Sequence, residues 1–338
     1  MEDRRLRLSL VVPCYNERET LPGFHREVTK ELALADVDYE IVFVDDGSSD
    51  GTREILRGLA GADRRVRFLS LSRNFGQEAA ILAGLKSAAG DAVVIMDADL
   101  QHPPALIHTM LKHFRAGCDQ VVARRTRTGE GRLYTLAARV YYKLVNRLLD
   151  VRLLNGASEF RLIGRTALDA LLSLEEYSRF SRGLFTWIGF DQVVIDYENV
   201  VRTSGASKWN LRKRFDYGLD GIMSFNNKPL RLAIYIGLFF TGIAALYMFW
   251  AIGDAIVNGV DSPGYTTLLT AIVGLGGMQM IMLGIIGEYL GRVYYESKRR
   301  PHFLVREADG EQPWEAERQR PVAHSEVNGL GSRRTGAS

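Results

Sequence analysis

Two stretches of this chain carry no charged side chain: Leu232–Ile252 and Thr266–Gly287. A helix needs about 20 mainly apolar residues to cross a hydrocarbon core of roughly 30 Å, and soluble domains rarely hold uncharged runs that long. The pair predicts a two-helix transmembrane hairpin; a buried helical hairpin in a soluble core is the other reading. The stretch between, Gly253–Tyr265, has Asp254, Asp261 and Pro263 but no Lys or Arg. Basic residues flank the outer ends: Arg212, Lys213, Arg214, Lys228 and Arg231 before, Arg292, Lys298, Arg299 and Arg300 after. By the positive-inside rule both ends face the cytoplasm and the acidic loop faces out. A mean hydropathy of -0.07 excludes a many-span transporter. With 46% hydrophobic and 25% charged residues, the 338-residue chain is not a disordered one. Met1–Pro13 does not read as a secretory leader, because its apolar run Leu8–Val12 is too short.

The pattern divides the chain into a soluble part, 1–228, a hairpin, 229–292, and a tail, 293–338, expected to be largely disordered after 307. A net charge of +3 is too mild to argue for nucleic acid. Cys14 and Cys118 stand alone, with no CxxC and no Cys/His cluster, so neither a disulfide framework nor a zinc site is expected. Over the first 125 residues, short β-rich runs (Leu8–Val12, Glu40–Val44, Val66–Leu71, Ala92–Met96, Gln120–Ala123) alternate with helical patterns (Arg18–Ala35, Thr52–Ala60, Gln77–Ala89, Pro104–Ala116). Such alternation predicts an α/β fold with a mainly parallel sheet and helices on both faces. Ligands then bind beyond the carboxyl ends of the strands. The glycine-rich GxGxxG and GxxxxGKS/T phosphate loops are absent.

Four successive strands run into polar loops: PCYNE at 13–17, DDGSSDGT at 45–52, SRNFGQ at 72–77 and DADLQ at 97–101. Any one of them could merely cap a helix, since Asp, Ser and Asn are favoured N-caps. All four together point to one polar edge. Asp97 and Asp99, if extended at a strand end, can present both carboxylates to one side of the exit turn. Two close carboxylates repel unless a cation or proton intervenes. Mg²⁺ typically takes one or two carboxylates plus substrate phosphates, and Gln101 adds a carbonyl oxygen.

On the segments VPCYNE, VDDGSSDGT, LSRNFGQEAA, MDADLQHPP, EFRLI, RFSRGLFTWIGF and RTSGASKW, followed by the two apolar runs, the chain resembles the GT-A glycosyltransferases of family 2. Within them it is similar to the polyprenyl-phosphate branch, such as dolichyl-phosphate mannose synthases and bactoprenol glucosyltransferases. The likeness covers most of residues 8–305. It implies a Rossmann-like GT-A domain that moves one sugar from a nucleotide diphosphate sugar, UDP-glucose-like by similarity, to a polyprenyl phosphate such as undecaprenyl phosphate, with Mg²⁺ or Mn²⁺. Pro13, Tyr15, Asn16, Glu17, Asp45 and Asp46 would line the base and ribose, with Arg73, Asn74, Gly76 and Gln77 near the nucleotide. Asp97, Ala98 and Asp99 would meet the donor, and Asp97, Asp99 and Gln101 would hold the metal. Arg202, Ser207 and Lys208 would belong to a mobile loop over the diphosphate. Arg179 and Arg182 match an RFxRG segment near the active site. Asp99, Glu159 and Arg182 are the catalytic candidates. Glu159 stands where the family usually has Asp, and His102 replaces the usual Asp after the Gln. Similar enzymes assemble as tetramers, so a homotetramer is implied.

A lipid phosphate is already an anionic nucleophile near neutral pH. Glu159 is therefore expected to position the sugar or support the cationic cluster rather than mainly remove a proton. Leu133, Leu136, Val140, Leu144 and Leu148 recur at helical spacing among Arg132, Arg139, Lys143 and Arg147, predicting an amphipathic helix at about 132–149. It would lie at the membrane interface or be an ordinary core helix. Residues 208–226 are a candidate partner. Arg125, Arg139 and Lys143 are candidates for the acceptor phosphate. Three other readings remain: a GDP-mannose-using enzyme, a processive polysaccharide synthase, which would need a QxxRW segment absent here, and a non-catalytic membrane adaptor on the same fold, which would be expected to lose the acidic loop residues.

Overall fold

The structure, a computed structural model, describes residues 5–126, 157–177, 179–198, 228–258 and 264–310. Eight strands form one sheet: β1 (Arg7–Cys14), β2 (Asp38–Asp45), β3 (Val66–Leu71), β4 (Ala92–Ile95), β5 (Gln120–Arg125), β6 (Ala157–Gly164), β7 (Gln192–Tyr197) and β8 (Val305–Ala308). The helices are α1 (Leu21–Leu34), α2 (Thr52–Ala62), α3 (Gln77–Ser87), α4 (Leu106–Arg115), α5 (Arg165–Leu172), α6 (Ser181–Trp187), α7 (Lys228–Asn258) and α8 (Tyr265–Ser297). The five strands and four helices read from the first 125 residues are all present, with shifted ends.

The strand order is β7-β5-β6-β4-β1-β2-β3-β8. β1, β2, β3 and β4 run parallel, as do β5 and β7. β6 lies antiparallel between β4 and β5, and β8 antiparallel beside β3. The sheet is thus mixed, and three of its strands were not expected from the sequence. β8 falls in the segment read as tail, and it pairs with β3 through Ala308. Residues after 310 lie outside the described ones.

Side-chain alternation along the strands builds a core on each face. Leu8, Leu10 and Val12 point with Ile41 and Phe43 toward Phe24, Val28, Leu56 and Ile107 of α1, α2 and α4. Val11, Val42, Val44, Val93 and Ile95 face α3, α5 and α6. Helix α3 is buried on nearly every side. At Gly84 an added Cβ would stand 2.3 Å from Val11 Cγ1, so only glycine lets this helix lie so close to β1.

Helices α7 and α8 form the hairpin, with Gly237 set against Met282. Ile234, Leu238, Phe249, Met280 and Leu283 are exposed along them. Among the described residues, no helix is long and apolar enough to cross a membrane. The side chains at several positions of both runs lie outside the described residues. The same holds for the expected helices at 132–149 and 208–226, and for Arg139, Lys143, Arg202, Ser207 and Lys208.

Candidate active site

The first two strand-end loops are laced together. Asn16, held at φ 54°, donates its backbone N–H to Ser48 Oγ (2.9 Å), and its Oδ1 accepts from the Ser49 N–H (3.0 Å). The Glu17 N–H reaches Thr52 Oγ1 (3.0 Å). Tyr15 stays exposed beside them.

Asp45 and Asp46 are buried and occupied. Asp45 accepts from the Ser48 N–H (2.9 Å) and the Ser70 hydroxyl (2.6 Å), with Arg53 Nε 3.6 Å away. Asp46 accepts from the backbone N–H groups of Phe75 (2.7 Å) and Gly76 (2.9 Å). Burial pushes its pKa up, and adjacent Asp45 adds to this against the two N–H donors and Arg73. In this structure both carboxylates brace the loops. Gly47 completes the contact: at φ 68° it lies so close to Arg73 that a Cβ would stand 2.3 Å from that carbonyl carbon. Arg73 lies over the Phe75 ring, 4.3 Å from its centre.

Strand β4 ends at Ile95. The following residues turn, with Leu100 at φ 58°, rather than continuing extended. The turn closes when the Gln101 N–H donates to Asp99 Oδ1 (3.0 Å). Asp97 accepts from Gln77 Nε2 (3.2 Å). Its backbone N–H points at His102 Nδ1 (3.3 Å), and the His102 ring stacks on Phe160. His102 is therefore a packed, buried side chain under the acidic turn.

Because β6 runs beside β4, it brings Glu159 to the same place. Arg182, from the first turn of α6, donates Nε to Glu159 Oε1 (2.7 Å). Among the described residues, Glu159 Oε2 is buried without a hydrogen-bond partner. Burial raises the Asp97 pKa, the carboxylates of Asp99 and Glu159 push it further up, and His102 and Arg182 oppose them. The catalytic candidates Asp99, Glu159 and Arg182 thus share one electrostatic neighbourhood with Asp97. Arg179, two residues before α6, donates to the Leu174 carbonyl (2.5 Å) and faces Glu78 and Glu176. Arg125, at the end of β5, lies toward Tyr197.

Sequence reasoning missed Glu78. Its carboxylate accepts from the Ser181 N–H and hydroxyl, tying the first turn of α3 to the first turn of α6. Its place next to Gln77 was the available signal. Tyr197 was missed too, since its strand was not foreseen.

Among the described residues, no group of three or more His, Cys, Asp or Glu side chains could hold a metal alone. Asp97 and Asp99 nevertheless fit a hard divalent cation. They repel one another, they offer oxygen, and such an ion can complete its shell with substrate phosphates and water.

A mixed α/β sheet with acidic side chains collected past its central strands is the GT-A arrangement, and the class it defines is that of glycosyltransferases. The family model for glycosyl transferase family 2 matches residues 9–172, and that for the GtrB C-terminal hairpin matches residues 228–293. CsbB of Bacillus subtilis (strain 168), named as a glycosyltransferase, is 47% identical over 302 residues, covering 89% of this chain and 92% of that one. The bactoprenol glucosyl transferase of Shigella phage SfV is 41% identical over 302 residues, covering 89% and 98%. Among solved structures, glucosyl-3-phosphoglycerate synthase from Mycobacterium tuberculosis aligns at 20% identity and a TM-score of 0.44, covering 64% of this chain and 78% of that one. The chain belongs to glycosyltransferase family 2, and it is a glycosyltransferase enzyme.

Proposed function

We propose that this enzyme transfers a single sugar from a UDP-sugar, UDP-glucose in type, to a polyprenyl phosphate at the cytoplasmic face of a membrane. The observation that carries the reading is the gathering of Asp97, Asp99 and the Glu159–Arg182 pair beyond the end of β4 and at the start of β6. It occurs in a chain whose relatives, about 40% identical over 98% of their own length, are named bactoprenol glucosyl transferases. The match to the GtrB hairpin family and the uncharged runs Leu232–Ile252 and Thr266–Gly287 support anchoring by two spans.

In this reading an oxygen of the lipid phosphate attacks the anomeric carbon. The bond from that carbon to the donor's β-phosphate oxygen breaks, and the nucleoside diphosphate leaves with the electron pair. A divalent cation held by Asp97 and Asp99, with Gln101 as a further oxygen donor, would neutralise the departing diphosphate. Arg182 supplies positive charge where two anions must approach, while Glu159 fixes its guanidinium. Their half-buried salt bridge presents a set geometry instead of a mobile arm. Arg125, at the end of β5, would meet the acceptor phosphate.

Membranes carrying the protein, given labelled UDP-glucose and Mg²⁺ or Mn²⁺, are expected to form a chloroform-soluble labelled lipid. Asp97→Ala or Asp99→Ala should abolish it. An undiminished yield from either variant overturns the assignment of the acidic pair, and label found only in long polymer overturns single-sugar transfer.

A further inference from the structure

The chain that leaves the hairpin does not trail away. Just beyond the end of α8, His302 stacks on Tyr177 with ring centres 5.7 Å apart, as does Tyr295 at 5.9 Å. Glu296 accepts from the Tyr177 N–H (2.9 Å). Phe303 then enters the core on the α3 face, only 9% exposed, in the cluster that also takes Phe75, Val305 and Ala308. Strand β8 follows along β3. Leu304 O accepts from the Ser72 N–H (2.8 Å), and the Asp309 N–H donates to Phe68 O (3.0 Å). Glu307, opposite Ser70, forks onto Arg57 with two contacts of 2.6 Å.

The placement matters because of what β3 leads into. Ser72 is the first residue of the loop to Gln77. That loop is gripped on its other side by Asp46, through Phe75 and Gly76, and by the close approach of Gly47 to Arg73. Behind it, Ser70 joins Asp45 to Arg53. The loop is therefore clamped between the second strand-end loop and β8. Half of that clamp comes from residues that follow the hairpin.

We propose that Phe303–Asp309 is part of the donor-binding apparatus: it positions the Arg73–Gln77 loop, with Glu307 as a positioning residue acting through Arg57 and the β3 edge. Attachment of the hairpin and binding of the nucleotide then share one element. The proposal rests on the reading of that loop as the donor's side of the cleft.

The test uses the full-length protein in detergent. Hydrogen exchange is followed over residues 72–76 without ligand, and UDP affinity is measured by calorimetry with Mn²⁺. Glu307→Arg sets a cation against Arg57. It is expected to speed exchange of the loop but not of β1 or β4, and to weaken UDP about fivefold, the span of one exposed ion pair. Combining it with Arg57→Glu restores the opposite charges and should reverse both effects, while unchanged exchange in β1 and β4 separates a local loosening from a general loss of stability. If Glu307→Arg fails to fold, Glu307→Gln is read the same way with a smaller shift. Unchanged exchange at 72–76, or a loosening that the swapped pair leaves in place, overturns the proposal. If the wild-type protein does not bind UDP, the donor reading falls, and the exchange data still decide whether β8 holds the loop.

Discussion

Glu40, near the start of β2, lies at the opposite end of the strands from the active site. Only 5% of its side chain is exposed. Burial alone would raise its pKa. The Ser9 hydroxyl (2.5 Å), the Ala89 N–H (2.7 Å) and the guanidinium groups of Arg7 and Arg67 overcome that and hold it below the ordinary glutamate range. A carboxyl depressed in the folded state stabilises fully above its unfolded pKa. The stabilisation is lost as pH falls through the folded value. The melting temperature is therefore expected to decline below about pH 4.5, and Glu40→Gln should flatten this acid limb while lowering stability at pH 7. A variant whose pH profile runs parallel to the wild type would remove Glu40 from the account. Asp46 shows the contrary balance: burial wins there, and its carboxylate is retained by the two N–H groups it must hold.

Helix α3 links both sides of the cleft through adjacent residues. Gln77 reaches Asp97, and Glu78 receives Ser181 at the start of α6, the helix that carries Arg182. Removing Glu78 strands buried donors, at a cost of about 1–3 kcal/mol. Glu78→Ala and Ser181→Ala should each destabilise, and the double variant should lose less than their sum. A coupling within roughly 0.5–3 kcal/mol in a urea-denaturation cycle is expected, and strict additivity would argue that the two helices are not joined here. The sequence made α3 legible, along with the four parallel strands and their polar loops, because each is a local pattern of period and punctuation. It concealed β6. Glu159 and Arg161 are 6% and 2% exposed, yet two charges in one strand read as surface. What they meet comes from elsewhere: Arg182 pairs with the one, and the guanidinium of the other lies 3.8 Å from the centre of the Phe185 ring. Glu159 was legible only through a motif likeness. β8 was hidden for the same reason, since Val-Arg-Glu-Ala becomes a strand only when β3 is beside it.

At the scale of the whole molecule, β3 would be a sheet edge without the residues that follow the hairpin. A bare edge exposes unpaired backbone groups that invite another chain. A chain ending at Lys298 keeps both hairpin helices but loses Phe303 and β8. Emptying a core site of a Phe side chain costs roughly 3–5 kcal/mol, and the lost ladder and the Arg57–Glu307 fork add to that. The shortened protein, purified in detergent, is expected to melt well below the full chain and to associate at concentrations where the full chain does not. Light scattering coupled to gel filtration measures the second effect. If the chain ending at Lys298 melted with the full-length protein and stayed monodisperse, β8 would be a passive cover, and the domain's stability would reside wholly in the cores around α3 and α1.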